Sequence, residues 1–342
     1  MIDLLKKLCA PIGVSGDEGA VRALIENEIR PYCDEIRTDK AGNLIAEKKG
    51  KKESRHKIVL AAHMDEVGFI ITNITDSGLL RFACVGGIDV RQFIGKRVAI
   101  CAKNGLVSGV IGAVAPHLLS KDSASKVLKD DELYINIGSD SKDEALSLVS
   151  LGDTGTLVGD FTVMAGGKIL ARALDDRAGC AVLIKLLKSE LEYSVTAVFT
   201  VQEEIGCRGA LVAASAIKPD YAIVLDSTTA CDLNDIPDDK TVCTLGHGGV
   251  VSFMDRGCAY DRELFSLVMS VAEKENIPAQ VKRAVAGAND SASIHKIAGG
   301  VKTTAISLPC RYLHSPNCVI DSKDLDSVYK LVSAILPKIS EL

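Results

Sequence analysis

The sequence predicts an α/β fold: a mostly parallel sheet with helices on both faces, split by a small inserted β domain. Three observations predict it. Apolar strand-like runs alternate with amphipathic helical patterns in the first 66 residues and again after residue 163, the rhythm of a sheet whose crossovers are helices. The run KIVLAA at 57–62 is almost continuously apolar, as a strand buried on both faces must be. From 67 to 162 that rhythm breaks into short β-rich runs separated by Gly, Asn and Asp, with long helical patterns nearly absent. The expected division is 1–66 with 163–342 as one domain and 67–162 as the insertion.

Each element has its own signal. Ser15 and Glu18 have the S-x-x-E spacing of a capping box, and Val21, Leu24, Ile25 and Ile29 then fall on one helix face. Strands follow at 43–48 and 57–62. The insertion holds the runs GFIITNI, LLRFACV, GKRVAICA and LVSGVIGAV, with a polar stretch at 119–132 that reads as a mobile loop. After Gly166, KILARAL reads as a strand. Residues 176–189 form a helix with Ala178, Val182, Leu183 and Leu186 on one side. SVTAVFTV is a strand, 210–217 a helix, YAIVL a strand, 263–276 a helix, 301–308 a strand, and a helix starts at Ser322.

Bulk properties bound the function. A chain of 342 residues suggests two domains. Hydrophobic residues at 47% and charged residues at 25% suit a globular protein with a large core. A net charge of −5, with no basic stripe, argues against a nucleic-acid partner. No run approaches the ~18 apolar residues of a membrane span, and the N-terminus lacks a signal-peptide apolar core. The 11 cysteines are odd in number and contain no C-x-x-C pair, which favours thiols in a reducing compartment, the cytoplasm.

The chemistry-bearing residues fall at strand ends, where open α/β sheets bind ligands. His63 and Asp65 follow KIVLAA; Asp175 and Asp176 follow KILARAL; Glu203 and Glu204 follow SVTAVFTV; Asp226 follows YAIVL; His314 follows the strand ending near Leu308. Taken singly, each has an ordinary reading as a turn residue, helix cap or solvated pair. Those readings predict no common location, whereas a metal hydrolase needs one. Imidazole and carboxylate without thiolate suits zinc, cobalt or manganese. Two ions sharing a carboxylate could activate a water, with a non-ligand carboxylate taking its proton.

The stretches AAHMDEVGFI, ALDDRAGC, QEEIGCRGA, LDST, GANDSASIH and RYLHSP resemble, in order, those of the tetrahedral di-metal aminopeptidases. This family is also called deblocking or glutamyl aminopeptidases, and its members are often mislabelled endoglucanases. The resemblance covers essentially the whole chain. It implies a di-zinc exopeptidase-like fold with a PDZ-like insertion that builds a twelve-subunit shell from dimers. It implies peptide substrates and two divalent ions, zinc foremost, with cobalt or manganese as alternatives. His63 and Asp226 would bind one ion, Glu204 and His314 the other, with Asp175 bridging. Glu203 would be the general base and acid, and Asp65 would accept the remaining N–H of His63. It further implies a cis bond between Asp175 and Asp176, turning Asp175 to both metals and Asp176 elsewhere.

Three features depart from the family pattern: Cys310, Asn289 and a short segment between 160 and 168. None touches a metal position. His117, His247 and His295 are expected in structural or subunit-contact roles, and Arg256 is left open between substrate and subunit contact. The rival readings are a di-metal deacylase, dipeptidase or carboxypeptidase on the same scaffold, a metal-free glycoside hydrolase, and a shell protein without activity.

Overall fold

The computed structural model of the chain describes residues 1–115, 128–297 and 299–342. His117 and the greater part of the polar stretch at 119–132 lie outside them. Chain order begins with β1 (Glu35–Thr38), β2 (Leu44–Lys48) and β3 (Ile58–His63). Residues 68–157 contribute β4 (Gly68–Ile74), β5 (Leu80–Val85), β6 (Arg97–Ala102), β7 (Gly105–Gly112), β8 (Tyr134–Asn136) and β9 (Thr154–Leu157). There follow β10 (Thr162–Val163), β11 (Lys168–Ala171), β12 (Val195–Thr200), β13 (Tyr221–Thr229), β14 (Gly249–Val251), β15 (Ala279–Val281), β16 (Lys302–Cys310) and β17 (Cys318–Asp321).

The main sheet has the order β1-β2-β12-β3-β13-β16-β14-β15. Its centre is parallel, β12 with β3, β3 with β13 and β13 with β16. The flanks are mixed: β1 and β2, β2 and β12, and β14 and β16 pair antiparallel, while β14 and β15 pair parallel. The expectation of a mostly parallel sheet is therefore amended to a mixed sheet with a parallel core. The β1–β2 flank has a local cause. The Asp39 carboxylate accepts the backbone N–H groups of Ala41, Gly42 and Asn43, closing a tight turn that only antiparallel strands can use.

Both faces of this sheet are covered. One packs against helices Ile2–Leu8, Gly19–Ile29, Leu174–Lys188, Arg262–Lys274 and Ser322–Ser340. The other packs against Arg208–Ile217 and Ser291–Ile294. The Leu174–Lys188 helix is buried almost all round, as a helix lying between the sheet and other helices must be. All six residues of β3 are buried, in agreement with the apolar run that marked it.

The β4–β9 strands close into a barrel of their own. Its core sets Phe69 tilted against Phe82 and Phe82 edge-on to Phe93, at 5.5 and 5.6 Å between ring centroids. The short helix Lys142–Leu148 also lies here, capped by Ser141, whose hydroxyl accepts the N–H of Glu144. KILARAL does form a strand, but β11 belongs to a separate three-stranded sheet with β10 and β17. The expected Ser15–Glu18 capping box is also absent. Ser15 donates to Asp65 at 2.6 Å, while Glu18 accepts from the N–H groups of Gly16 and Gln202. No helix among the described residues is long and apolar enough to cross a membrane.

Candidate active site

The parallel core sets the site. Register places Thr200 beside His63 and Asp226 beside Ser307, so the carboxyl ends of β12 and β3 lie level with Asp226 in β13 and Ser307 in β16. From there β3 delivers His63 and β13 delivers Asp226. Asp175 arrives from the small sheet, through the start of the Leu174–Lys188 helix. His314 arrives on the turn after β16, with its backbone in the left-handed region at φ 59. The Asp175–Asp176 peptide bond is cis, as the resemblance implied.

The five expected ligands converge. Asp175 Oδ1 lies 3.2 Å from His63 Nε2, and Asp175 Oδ2 lies 3.3 Å from His314 Nε2. His314 Nε2 is also 3.3 Å from Glu204 Oε2, and His63 Nε2 is 3.8 Å from Asp226 Oδ1. The carboxylate of Asp175 thus presents one oxygen to each histidine. The other ring nitrogens are held as well: His63 Nδ1 by the Asp65 carbonyl at 3.1 Å, and His314 Nδ1 by the Gly87 carbonyl at 2.7 Å. Gly87 follows β5, so the segment that forms the barrel helps to orient a residue of the site.

Charge is concentrated here. Burial, then the neighbouring Asp175 charge, pushes Glu204 up to about 8 and Asp226 up to about 7. Burial also raises Glu203 and Asp176 well above the carboxylate range. Burial alone would lower the two histidines. The facing carboxylates outweigh it, holding His63 well above its ordinary value and His314 at about 10. A divalent cation placed among these groups would reverse the upward carboxylate shifts.

A profile of the M42 glutamyl aminopeptidase family matches residues 42–331. The chain belongs to this family. It is a metal-dependent aminopeptidase, a peptide hydrolase. A putative aminopeptidase of Acetivibrio thermocellus is 42% identical over 334 residues, covering 97% of each chain. The lysyl aminopeptidase of Pyrococcus furiosus is 34% identical, covering 99% of this chain and 98% of that one. The TET1 peptidase of Pyrococcus horikoshii, described as assembling into a tetrahedron or a large octahedral shell, is 38% identical with a TM-score of 0.86, covering 98% of each chain.

The donor set of this M42 aminopeptidase fits a metal. Glu204 Oε1 is buried without a hydrogen-bond partner among the described residues. One group of atoms that could hold an ion joins His63, Asp175 and Glu204; a second joins His63, Asp176 and Asp226. That second group places Asp176 near the site rather than elsewhere. Asp176 also accepts the N–H of Gly179 at 2.9 Å, capping the helix. Only glycine fits there, since a Cβ on Gly179 would lie 2.4 Å from the Asp176 carboxylate.

Asp65 meets His63 Nδ1 twice, with its backbone carbonyl at 3.1 Å and its carboxylate at 3.5 Å. The carboxylate accepts the backbone N–H groups of Glu203 at 3.0 Å and Glu204 at 3.1 Å. Asp290 and Lys282 carried no role in the sequence reading. Asp290 accepts from the Thr200 hydroxyl at 2.5 Å, and Lys282 lines the cleft that also holds His63, Glu203 and Asp226. Asp290 lay inside the quoted GANDSASIH stretch, which was the one available signal. Asn289, one of the departures, binds the Tyr260 hydroxyl through its amide and lines the same cleft. Cys310 is buried at the end of β16. His247 is exposed, and His295 bonds the Ser291 carbonyl; neither joins a metal-competent group among the described residues. Arg256 is exposed and is not part of the cleft wall.

Proposed function

We propose that this chain removes residues from the N-termini of peptides with two divalent ions. His63 and Asp226 would hold one, Glu204 and His314 the other, and Asp175 would bridge them. The observation that carries this is the Asp175 carboxylate, whose two oxygens face two different histidines at 3.2 and 3.3 Å. When bound, the ions supply Lewis-acid activation of the water and of the scissile carbonyl. Zinc suits the set best, with cobalt or manganese able to replace it.

Glu203 is the proton carrier in this reading. It lines the cleft beside His63 and Asp226, and its backbone is fixed by Asp65. Its carboxylate takes the proton of the attacking water and passes it to the departing amine, a transfer that contributes about 10²–10⁴-fold. The turn that presents it needs Gly206, whose φ of 114 is closed to side-chain-bearing residues.

Family membership leaves the N-terminal side chain open, since the family is described as glutamyl and one relative as lysyl. Lys282, buried in the cleft wall, supports an acidic one. We read 67–162 as a PDZ-like assembly domain inserted between 1–66 and 163–342, and the chain as a homododecamer built from dimers. The barrel's own core and the exposed Leu106 and Leu151 support an interface there. Eleven thiols, none in a disulfide, support the cytoplasm.

Hydrolysis of aminoacyl-anilides tests the reading, with and without chelator, followed by adding back zinc, cobalt and manganese. Metal-restored activity that requires a free α-amine is expected. Cleavage of N-acylated substrates in preference would instead indicate a deacylase.

A further inference from the structure

Beside the two groups of ligand atoms that share His63 lies a third, which includes Glu203. Among the described residues, one atom each of Glu203, Cys207 and Asp290 lies within 4.8 Å of the others. Cys207 opens the Arg208–Ile217 helix, and Asp290 opens Ser291–Ile294. Cys207 Sγ is 3.4 Å from Glu203 Oε1 and 3.3 Å from the Asn289 carbonyl oxygen. Asp290 is 2% exposed. Its Oδ2 is taken by Thr200, but its Oδ1 is buried with no hydrogen-bond partner among the described residues. Leaving such an oxygen unpaired costs about 1–3 kcal/mol, and more when it is charged.

We propose that Glu203, Cys207 and Asp290 form a third cation site, inhibitory, for a thiophilic divalent ion such as zinc or cadmium. One sulfur and two carboxylates suit such ions and not magnesium or calcium. As the metal–sulfur bond forms, the Cys207 thiol gives its proton to solvent. Glu203 and Asn289 line the open cleft, which is the ion's way in. An ion there occupies the carboxylate that must face the reacting water. This inhibitory part rests on Glu203 being the base; binding does not.

The test starts from protein loaded with two zinc ions per chain and titrates in cadmium chloride. Total bound metal, thiolate-to-cadmium ultraviolet absorption and anilide hydrolysis are followed together, for wild type and for Cys207→Ser and Cys207→Ala. Wild type is expected to take a third equivalent, gain the absorption and lose activity. Both variants are expected to hold two ions, hydrolyse normally, lack that absorption and need an order of magnitude more cadmium for half-inhibition. Binding that stops at two, or absorption that both variants retain, overturns the site. Cysteine-dependent binding with undiminished hydrolysis overturns the inhibitory role, and with it Glu203 as base. A two-zinc protein with no hydrolysis defeats the aminopeptidase reading, while the absorption still reports on the third site.

Discussion

Asp65 Oδ1 accepts the backbone N–H of Glu203 at 3.0 Å, tying the end of β3 to the turn after β12. Asp65 Oδ2 does the same for Glu204 at 3.1 Å, and Ser15 donates to it as well. One buried carboxylate therefore fixes both the expected base and an expected ligand. Asp65→Asn keeps one accepting oxygen and turns an N–H₂ group toward another donor. It should lower turnover or metal affinity by about 10–100-fold, the usual cost of losing such an orienting partner. Rates and metal content measured side by side check this; a variant with unchanged turnover and unchanged metal content rules it out.

The adjacent glutamates should separate by their losses. Glu203→Gln keeps the shape and removes the basic oxygen, so both metals should stay while turnover falls by about 10²–10⁴-fold. Glu204→Gln should weaken one metal site, with activity partly recovered at high metal concentration. Metal analysis of both purified variants decides. If Glu203→Gln loses a metal and Glu204→Gln keeps both, the two roles are exchanged.

How much of this was legible depends on range. His63 and Asp226 could be picked out because each ends an apolar run, and position at a strand end is local information. The work of Asp65 could not, since its partners Glu203 and Ser15 are 138 and 50 residues away in sequence. The capping box failed for the same reason: Ser15 and Glu18 have the right spacing, but tertiary partners take both side chains. KILARAL was recognisable as a strand, yet a strand of four residues says nothing about which sheet it joins. The antiparallel flank at β14 is likewise set by packing against β16 rather than by its three residues.

A buried charge cluster joins the N-terminal segment to the site. Glu66, 2% exposed, pairs with Arg172 and, at 3.0 Å, with Arg177. Arg177 also donates to the carbonyls of Leu8 and Met64. Glu66→Ala would leave two buried guanidinium groups without a counter-charge. The expected loss is about 3–5 kcal/mol of stability, with Glu66→Gln milder because it keeps an acceptor. Denaturant unfolding of both variants measures it; equal stability of Glu66→Ala and wild type would refute the cluster's role.

Assembly is the fourth expectation. Light scattering at working concentration should give a mass that is a multiple of the 36.2 kDa chain, and twelvefold for the full shell. Charged residues placed at Leu106 and Leu151, both exposed, should reduce that mass if the barrel is the contact. A wild-type mass of one chain defeats the proposal.

Lys282 offers the last test, of substrate choice. It is 7% exposed, and among the described residues its ammonium has a single hydrogen bond, to the Ala286 carbonyl. An ammonium has three donors, so two are free to meet a ligand. Its cleft also contains Glu203 and Asp226, whose charges belong to the reaction and not to specificity. An acidic side chain on the substrate's first residue would pair with Lys282, and a lysyl side chain would be repelled. A charge-assisted hydrogen bond of this kind is worth about 1.5–3 kcal/mol, so Lys282→Gln should lower kcat/KM for glutamyl-anilide by about ten- to a hundredfold relative to leucyl-anilide. Lysyl-anilide should improve in the same variant, because the repulsion goes with the charge. Parallel rates on the three anilides read both effects at once. Equal losses on all three would mean that Lys282 shapes the cleft wall without choosing the substrate.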